Sequence, residues 1–268
     1  MSEKKDMSFL EHLEELRGRL VKSVIGVVVG IIVMVIYDDF VIQDIIMGPR
    51  SLDFPTYRFF CEMGRWLGLG EQLCFTTMNF SLQSTTMGGN FSAYILVMIV
   101  GGIVLAFPWI IYQLWSFVKP GLNPKESGSV RGIVIYVSLL FFIGVLFGYF
   151  VLAPLSIQFL GNFQFADVAV QSTVLSYLKL TTSLVLGTGL VFQLPVLIYF
   201  LAKIGLITSA FLKKYRKHAF VVNLIVAAII TPPDITSQIL VSLPILLLYE
   251  IGVIVAGRVE KSKAKEVF

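Results

Sequence analysis

Long apolar stretches separated by short polar segments dominate this chain. Most are about 20 residues long, the length an α-helix needs to cross the hydrocarbon core of a bilayer. Inside lipid, only helices and closed barrels satisfy every backbone hydrogen bond. Charged residues make up 14% of the chain, against about 25% in soluble domains. We therefore predict an all-α integral membrane protein, with residues 1–268 forming a single polytopic membrane domain.

The pattern predicts six transmembrane helices, with the fifth and sixth short. The fifth covers about 20 Å because it has only about 13 residues, and two prolines in the following turn end it. We expect local thinning of the bilayer there, or a tilted sixth helix. The predicted spans are Leu20–Tyr37, Ala93–Val118, Arg131–Leu155, Val174–Ile204 (interrupted by Pro195), His218–Ile230 and Ile235–Ala256.

An amphipathic helix is predicted before the first span. Ser8 and Glu11 have the spacing of a capping box, which marks a helix start. Charged residues separate leucines that recur at near-helical spacing, as in helices that lie on a membrane surface. The leucines are Leu10, Leu13, Leu16 and Leu20.

Residues 38–92 form an extended first extracytoplasmic loop that is too polar to span the bilayer. We expect this loop to be a structured cap. It contains the only two cysteines, Cys61 and Cys74. An oxidising compartment permits a disulfide between them, which would stabilise the fold by roughly 3 kcal/mol. Two free thiols are the alternative.

Basic residues indicate the orientation, because cytoplasmic loops of membrane proteins are enriched in Lys and Arg. Residues 156–173, between the third and fourth spans, contain neither. We therefore predict that both termini are cytoplasmic. The basic residues on the cytoplasmic side are Lys4, Lys5, Arg17, Arg19, Lys22, Lys119, Lys125, Arg131, Lys213, Lys214, Arg216, Lys217, Arg258, Lys261, Lys263 and Lys265.

Several functional classes are disfavoured. The sequence has no phosphate-binding loop, dinucleotide fingerprint or nucleophile elbow. His12 and His218 lack further ligands for a metal site. We therefore expect no enzyme, no metal, no cofactor and no nucleic-acid partner. A small-solute secondary transporter is the alternative function; its candidate polar residues within spans are Gln193 and Glu250.

Acidic residues on the cytoplasmic side stand out among the basic ones. Glu15 lies in the N-terminal helix beside Glu11 and Glu14, and Glu126 lies in a loop stiffened by prolines. These acids could pair with Arg17, Arg19 or Lys125 at little gain in stability. Alternatively, they form a binding site for a basic partner.

Four segments together resemble one protein family. They resemble TatC, a subunit of the twin-arginine protein translocase, in its N-terminal signature, first cytoplasmic loop, tight turn and last helix. The segments are Leu10–Arg19, Phe117–Glu126, Thr231–Asp234 with Ser237 and Gln238, and Tyr249–Gly252.

The resemblance implies a function in the bacterial cytoplasmic (inner) membrane. A TatC protein binds twin-arginine signal peptides of folded cargo proteins, which then cross the membrane using the proton-motive force. Its expected partners are single-span TatA/TatB-like subunits, other copies of itself and membrane lipid.

The resemblance also assigns residues. Glu15 and Glu126 match the acids that recognise the arginine pair, and Arg17 matches a basic residue nearby. A planar guanidinium binds a carboxylate through two parallel hydrogen bonds, which an ammonium cannot do. Three further residues match the loop that shapes the site: Phe117, Pro120 and Leu122.

Other matches lie toward the opposite face. Gln238 resembles the polar position that contacts a partner's transmembrane helix. This chain has Gln193 where the family pattern often has Glu, and Gln cannot carry a proton. The remaining matches are Pro49, Tyr149, Asp234 and Glu250.

Overall fold

The computed structural model describes residues 9–68, 70–71, 74–75, 81–118, 130–163, 171–231 and 235–267. Helices dominate these residues, which confirms the predicted all-α class. The helices are α1 (Phe9–Ile36), α2 (Asp38–Phe40), α3 (Pro55–Trp66), α4 (Gly89–Val118), α5 (Val130–Phe147), α6 (Ala153–Asn162), α7 (Val174–Val191), α8 (Leu194–Lys203), α9 (Ser209–Lys214), α10 (Arg216–Ile230) and α11 (Ile235–Val267).

Two short strands are an addition that the apolar pattern did not predict. Strands β1 (Ser81–Gln83) and β2 (Gln171–Thr173) pair in parallel, with Leu82 opposite Ser172. The side chains of Gln83 and Gln171 also bond to each other across the pair at 2.7 Å. The pairing joins two loops that are distant in sequence.

Five of these helices and helical runs are long and apolar enough to cross a membrane. Helix α10 has only 15 residues and is about 22 Å long, as predicted for the fifth apolar helix. The count of six spans therefore stays a prediction. The five candidates are Glu11–Ile36, Gly89–Val118, Gly132–Asn162, Val174–Lys203 and Gln238–Lys263.

The prediction that the sixth helix is short is wrong. Helix α11 runs for 33 residues, with Pro244 inside it. Its charged C-terminal part stays helical and contacts the corner between α8 and α9. Both carboxylate oxygens of Glu260 accept hydrogen bonds from Ser209, at 2.7 Å from its amide and 2.6 Å from its hydroxyl. The Lys263 ammonium donates to the carbonyl of Lys203, at the end of α8.

The chain divides into two compact units, which are described separately. The first consists of Met1–Asp38 and Val97–Leu139. In it α1 and α4 approach closely where both carry glycine: a Cβ placed on Gly30 would lie 2.5 Å from the carbonyl oxygen of Gly102. Small residues at such crossings allow helices to pack in lipid without a hydrophobic driving force.

The second unit consists of Asp39–Leu96 and Leu140–Phe268. Close packing here also depends on glycine: a Cβ on Gly144 would lie 2.7 Å from the carbonyl oxygen of Thr188 in α7. As predicted, Pro195 interrupts the fourth span, because α7 ends at Val191 and α8 begins at Leu194.

A left-handed glycine turns the chain after α8. Gly205 has a φ of +84°, which costs little only for glycine. The amide of Leu206 donates to the carbonyl of Leu201 at 2.9 Å, and the amide of Gly205 to that of Ala202 at 3.1 Å. These two bonds form a Schellman motif, so α8 ends in a defined turn.

The described part of the first loop folds into short helical segments. A π-helical segment (Val41–Ile46) and a 3₁₀ turn (Gly48–Arg50) precede α3. Helix ends leave backbone carbonyls without intrahelical partners, and here tyrosine hydroxyls bind them. The donors and acceptors are Tyr149 to Ile45 at 2.6 Å, Tyr177 to Ile46 at 2.8 Å and Tyr57 to Pro49 at 3.0 Å.

A second π-helical segment (Gly148–Leu152) lies between α5 and α6. The carbonyl of Phe150 in this segment accepts a hydrogen bond from the Thr56 hydroxyl. The hydroxyl of Tyr57 donates to the carbonyl of Pro154 at 2.9 Å, two residues beyond the segment. Helix α3 is therefore attached to the third span through backbone carbonyls, not through side-chain packing alone.

Cys61 and Cys74 are joined by a disulfide in the structure. Cys61 lies in α3 and Cys74 in the segment after it, so the bond closes this part of the loop. Nearby, the ring of Phe75 packs edge-on against that of Tyr57 with centroids 5.4 Å apart.

Candidate functional site

The N-terminal part of α1 has two unlike faces. Leu13, Leu16 and Leu20 are exposed, by 44%, 39% and 64%. Glu15 and Arg19, one helical turn apart, are half-buried. This differs from a soluble amphipathic helix, because Glu15 and Arg19 pack inward while the leucines point to the surroundings. A lipid environment accounts for exposed leucines.

Glu15 belongs to a polar cluster between α1 and α4. Its Oε1 atom accepts a hydrogen bond from the Arg19 guanidinium at 3.2 Å, with the two side chains 25% and 29% exposed. Arg19 also donates to Oε1 of Gln113 at 3.4 Å. Gln113 is 2% exposed, so it is a fixed anchor for the guanidinium. Oε2 of Glu15 makes no hydrogen bond to any described residue.

An aromatic contact lies beside this cluster. The imidazole of His12 stacks on the ring of Phe117, with centroids 4.4 Å apart and planes 25° apart. Phe117 is in the last turn of α4, where unpaired carbonyls give the helix end a partial negative charge. The structure thus places Phe117 near the polar cluster of α1, at a helix end that favours cations. His12 is half-buried in this stack.

The arginine that binds Glu15 is Arg19, not Arg17. Arg17 is exposed because it lies two residues from Glu15, on another face of the helix. The i, i+4 spacing of Glu15 and Arg19 could have identified the pair. Gln113 could have been found as a polar residue inside an apolar span.

Four of the predicted site residues lie outside the described part of the chain: Glu126, Pro120, Leu122 and Asp234. Their roles stay predictions. Among the described residues, no group of three or more His, Cys, Asp or Glu side chains could hold a metal ion.

Two polar candidates of the second unit, Gln238 and Glu250, have structural partners. Gln238 donates to the carbonyl of Leu224 at 3.1 Å and so connects α11 to α10. Glu250 forms an ion pair with Arg216 at 2.6 Å, and both side chains are about half exposed. Gln193 is half-buried at the break between α7 and α8. A paired Glu250 does not favour the alternative of a solute transporter, which needs a titrating acid within a span.

Comparison with known proteins identifies the family. A model of the family described as "Sec-independent protein translocase protein (TatC)" matches residues 11–244. The chain belongs to the TatC family. TatC proteins are components of a protein translocase and are not enzymes. Membership of this family, together with the long apolar helices, makes the chain a multi-pass protein of a bacterial membrane.

Curated TatC proteins resemble the chain over almost its whole length. One from Blattabacterium sp. subsp. Periplaneta americana is 39% identical over 98% of this chain and 99% of its own. One from Desulforapulum autotrophicum is 35% identical over 98% of this chain and 89% of its own.

A solved structure is also similar. The crystal structure of a protein described as the twin-arginine translocase receptor TatC superposes with a TM-score of 0.69 at 29% sequence identity. The match covers 92% of this chain and 98% of that one. The family model, the curated relatives and the solved structure thus all indicate a TatC fold and a component of the twin-arginine translocase. This result sets aside the alternative of a solute transporter.

Proposed function

We propose that this chain is the receptor of the twin-arginine translocase, and that Glu15 binds an arginine of the signal peptide at the cytoplasmic end of α1. The observation that supports this most directly is that Glu15 already binds a guanidinium, that of Arg19, at 3.2 Å. The carboxylate is therefore oriented for such a group, and its second oxygen, Oε2, makes no hydrogen bond to any described residue.

Three physical features favour an arginine ligand. A carboxylate binds a guanidinium through parallel hydrogen bonds, and a lysine ammonium cannot reproduce that geometry. The adjacent C-terminal end of α4 attracts positive charge. The half-burial of Glu15 weakens solvent screening relative to a fully exposed acid. Glu126 is proposed as the second acid, with Pro120 and Leu122 shaping the loop that holds it and Arg17 on the rim of the site.

The proposal includes orientation and partners. Both termini lie in the cytoplasm, since basic residues are concentrated in the segments on that side. Single-span TatA/TatB-like subunits dock on α10 and α11, near Gln238 and Asp234. Other copies of the chain complete the complex, and the proton-motive force drives export of folded cargo. Reporter fusions to each end would test the orientation: a terminus found outside would contradict it.

The binding site can be tested by crosslinking. The full-length protein in membrane vesicles is mixed with a signal peptide that carries a photoreactive group beside its arginine pair. We expect crosslinks to the N-terminal part of α1 and to the end of α4. Glu15→Ala and Glu126→Ala should each reduce them, and a peptide with two lysines should crosslink weakly.

Matched controls separate loss of binding from loss of protein. Glu14→Ala changes a neighbouring exposed acid and should leave crosslinking unchanged. Unaltered crosslinking by both the Glu15 and Glu126 variants, at wild-type protein levels, would overturn the site.

A further inference from the structure

Helix α3, in the first loop, has a buried side and an aromatic side. Tyr57 and Gly64 are seven residues apart and buried, so they mark the side that packs on the protein. Phe59 and Trp66 are also seven residues apart, but they are 61% and 85% exposed. At 100° per residue they lie on the side of the helix opposite Tyr57. Such exposure of two large aromatic side chains on one face indicates an interaction surface.

A charged stripe runs alongside the aromatic one. Arg58, Glu62 and Arg65 recur at helical spacing and are all exposed. Both arginines are paired with acids of the same loop, Arg58 with Asp53 at 3.1 Å and Arg65 with Glu71 at 3.7 Å. The stripe is therefore polar, but its net charge is small. Such a surface suits contact with water and lipid headgroups better than electrostatic attraction to a charged protein.

The contacts of α3 also fix its level along the third span. Its first turn binds the carbonyls of Phe150 and Pro154, whereas the span continues to Asn162. Those carbonyls therefore lie about 12–18 Å before the end of the helix. A bilayer with its headgroups is about 40–45 Å thick, and the 31-residue span is about as long. Helix α3 thus begins beside the C-terminal part of a helical run that is long enough to cross the whole bilayer, not beyond the end of that run.

We propose that α3 is an interfacial helix that lies in the adjoining lipid leaflet. Phe59 and Trp66 insert at the boundary between acyl chains and headgroups, and Arg58, Glu62 and Arg65 face headgroups and water. Tryptophan favours this boundary because its ring is apolar while its N–H still requires a polar partner. The occupant of the aromatic face is therefore phospholipid. The disulfide from Cys61 to Cys74 restrains the segment that follows α3.

Fluorescence quenching tests this placement. The full-length protein is reconstituted into phosphatidylcholine vesicles whose acyl chains are brominated either near the headgroup or deeper. The emission of Trp66 is obtained by subtracting that of Trp66→Phe from that of the wild type, which removes the contributions of Trp109 and Trp115. We expect the shallow bromines to reduce this emission most, and aqueous iodide to reduce it little.

The chain offers a matched control on the same helix. Arg65→Trp, in the Trp66→Phe background, places a tryptophan on the charged stripe, about 100° around the helix from position 66, and its emission should respond to iodide more than to bromine. Three results would overturn the proposal: quenching of Trp66 by iodide but not by brominated lipid, quenching by neither (which indicates cover by protein), and identical behaviour of the two positions. None of these results bears on binding of signal peptides by Glu15.

Discussion

The sharpest prediction concerns Glu15→Gln. The substitution keeps the size of the side chain and removes its charge. A hydrogen bond to a charged group contributes about 1.5–3 kcal/mol, and the 25% exposure of this side chain reduces that value through solvent screening. We expect a loss of about 1–2 kcal/mol in binding, or about 5- to 30-fold in affinity for a twin-arginine signal peptide.

Fold stability should change much less than affinity. An i, i+4 ion pair on a helix contributes about 0.3–0.5 kcal/mol, so the thermal midpoint of Glu15→Gln should lie close to that of the wild type. The difference between the two effects separates recognition from folding. Fluorescence anisotropy of a labelled peptide, measured against the purified full-length protein, gives the affinity.

A double-mutant cycle tests whether Glu15 contacts the arginine pair of the peptide. The wild type should bind a twin-arginine peptide more tightly than a twin-lysine peptide. Glu15→Gln should reduce this difference in affinity, because the change in the protein and the change in the peptide remove the same contact. Glu14→Gln changes an exposed neighbouring acid and should leave the difference in affinity between the two peptides unchanged. The assignment of Glu15 would be refuted if Glu15→Gln kept the full difference in affinity, or if Glu14→Gln reduced it equally.

Four further predictions concern stability. Tyr57→Phe leaves two carbonyls without their donor and should cost about 1–3 kcal/mol in thermal unfolding, while the exposed Tyr136→Phe should cost little. Burial, and to a lesser extent Tyr177, raises the pKa of Tyr57 above its usual value of 10.0. The protonated hydroxyl therefore contributes its full stability below about pH 10, and this contribution is lost as the pH rises further. Above about pH 10 the thermal midpoint should fall more in the wild type than in Tyr57→Phe. Non-reducing mass spectrometry should find Cys61 bonded to Cys74, and replacing both by serine should cost roughly 3 kcal/mol; free thiols would contradict the bond. Glu260→Gln should weaken the contact with α9 by about 1 kcal/mol, seen as faster amide hydrogen exchange in α9 but not in α7.

The long apolar helices were predictable because a bilayer leaves the backbone few choices. Apolar length alone locates α4 and α7, and Pro195 predicts the break after α7. The end of α11 was not predictable in this way. Its last turns are rich in charged residues, which would predict a polar tail after the span. In the structure, Glu260 and Lys263 bind the corner between α8 and α9. Helical structure there depends on tertiary contacts, which hydropathy does not record.

The candidate site shows the same division. Resemblance to a family singled out Glu15 and Phe117, whereas the structure added Arg19 and Gln113. Those two residues lie 94 positions apart, so their contact depends on how α1 packs against α4. Likewise, each strand of the β1–β2 pair has only three residues, too few for any periodic signal.

The π-helical segment at Gly148–Leu152 sets the rotational phase of α6. A π-helical turn contains one residue more than an α-helical turn, so winding the same five residues as a regular α-helix would rotate everything after them by about 100° about the helix axis. The side of α6 that now buries Ser156 and Ile157 would then turn away from its present neighbours, although no residue of α6 had changed. The five residues therefore align the two halves of the third span, and a change that made this segment α-helical would turn α6 without altering its sequence.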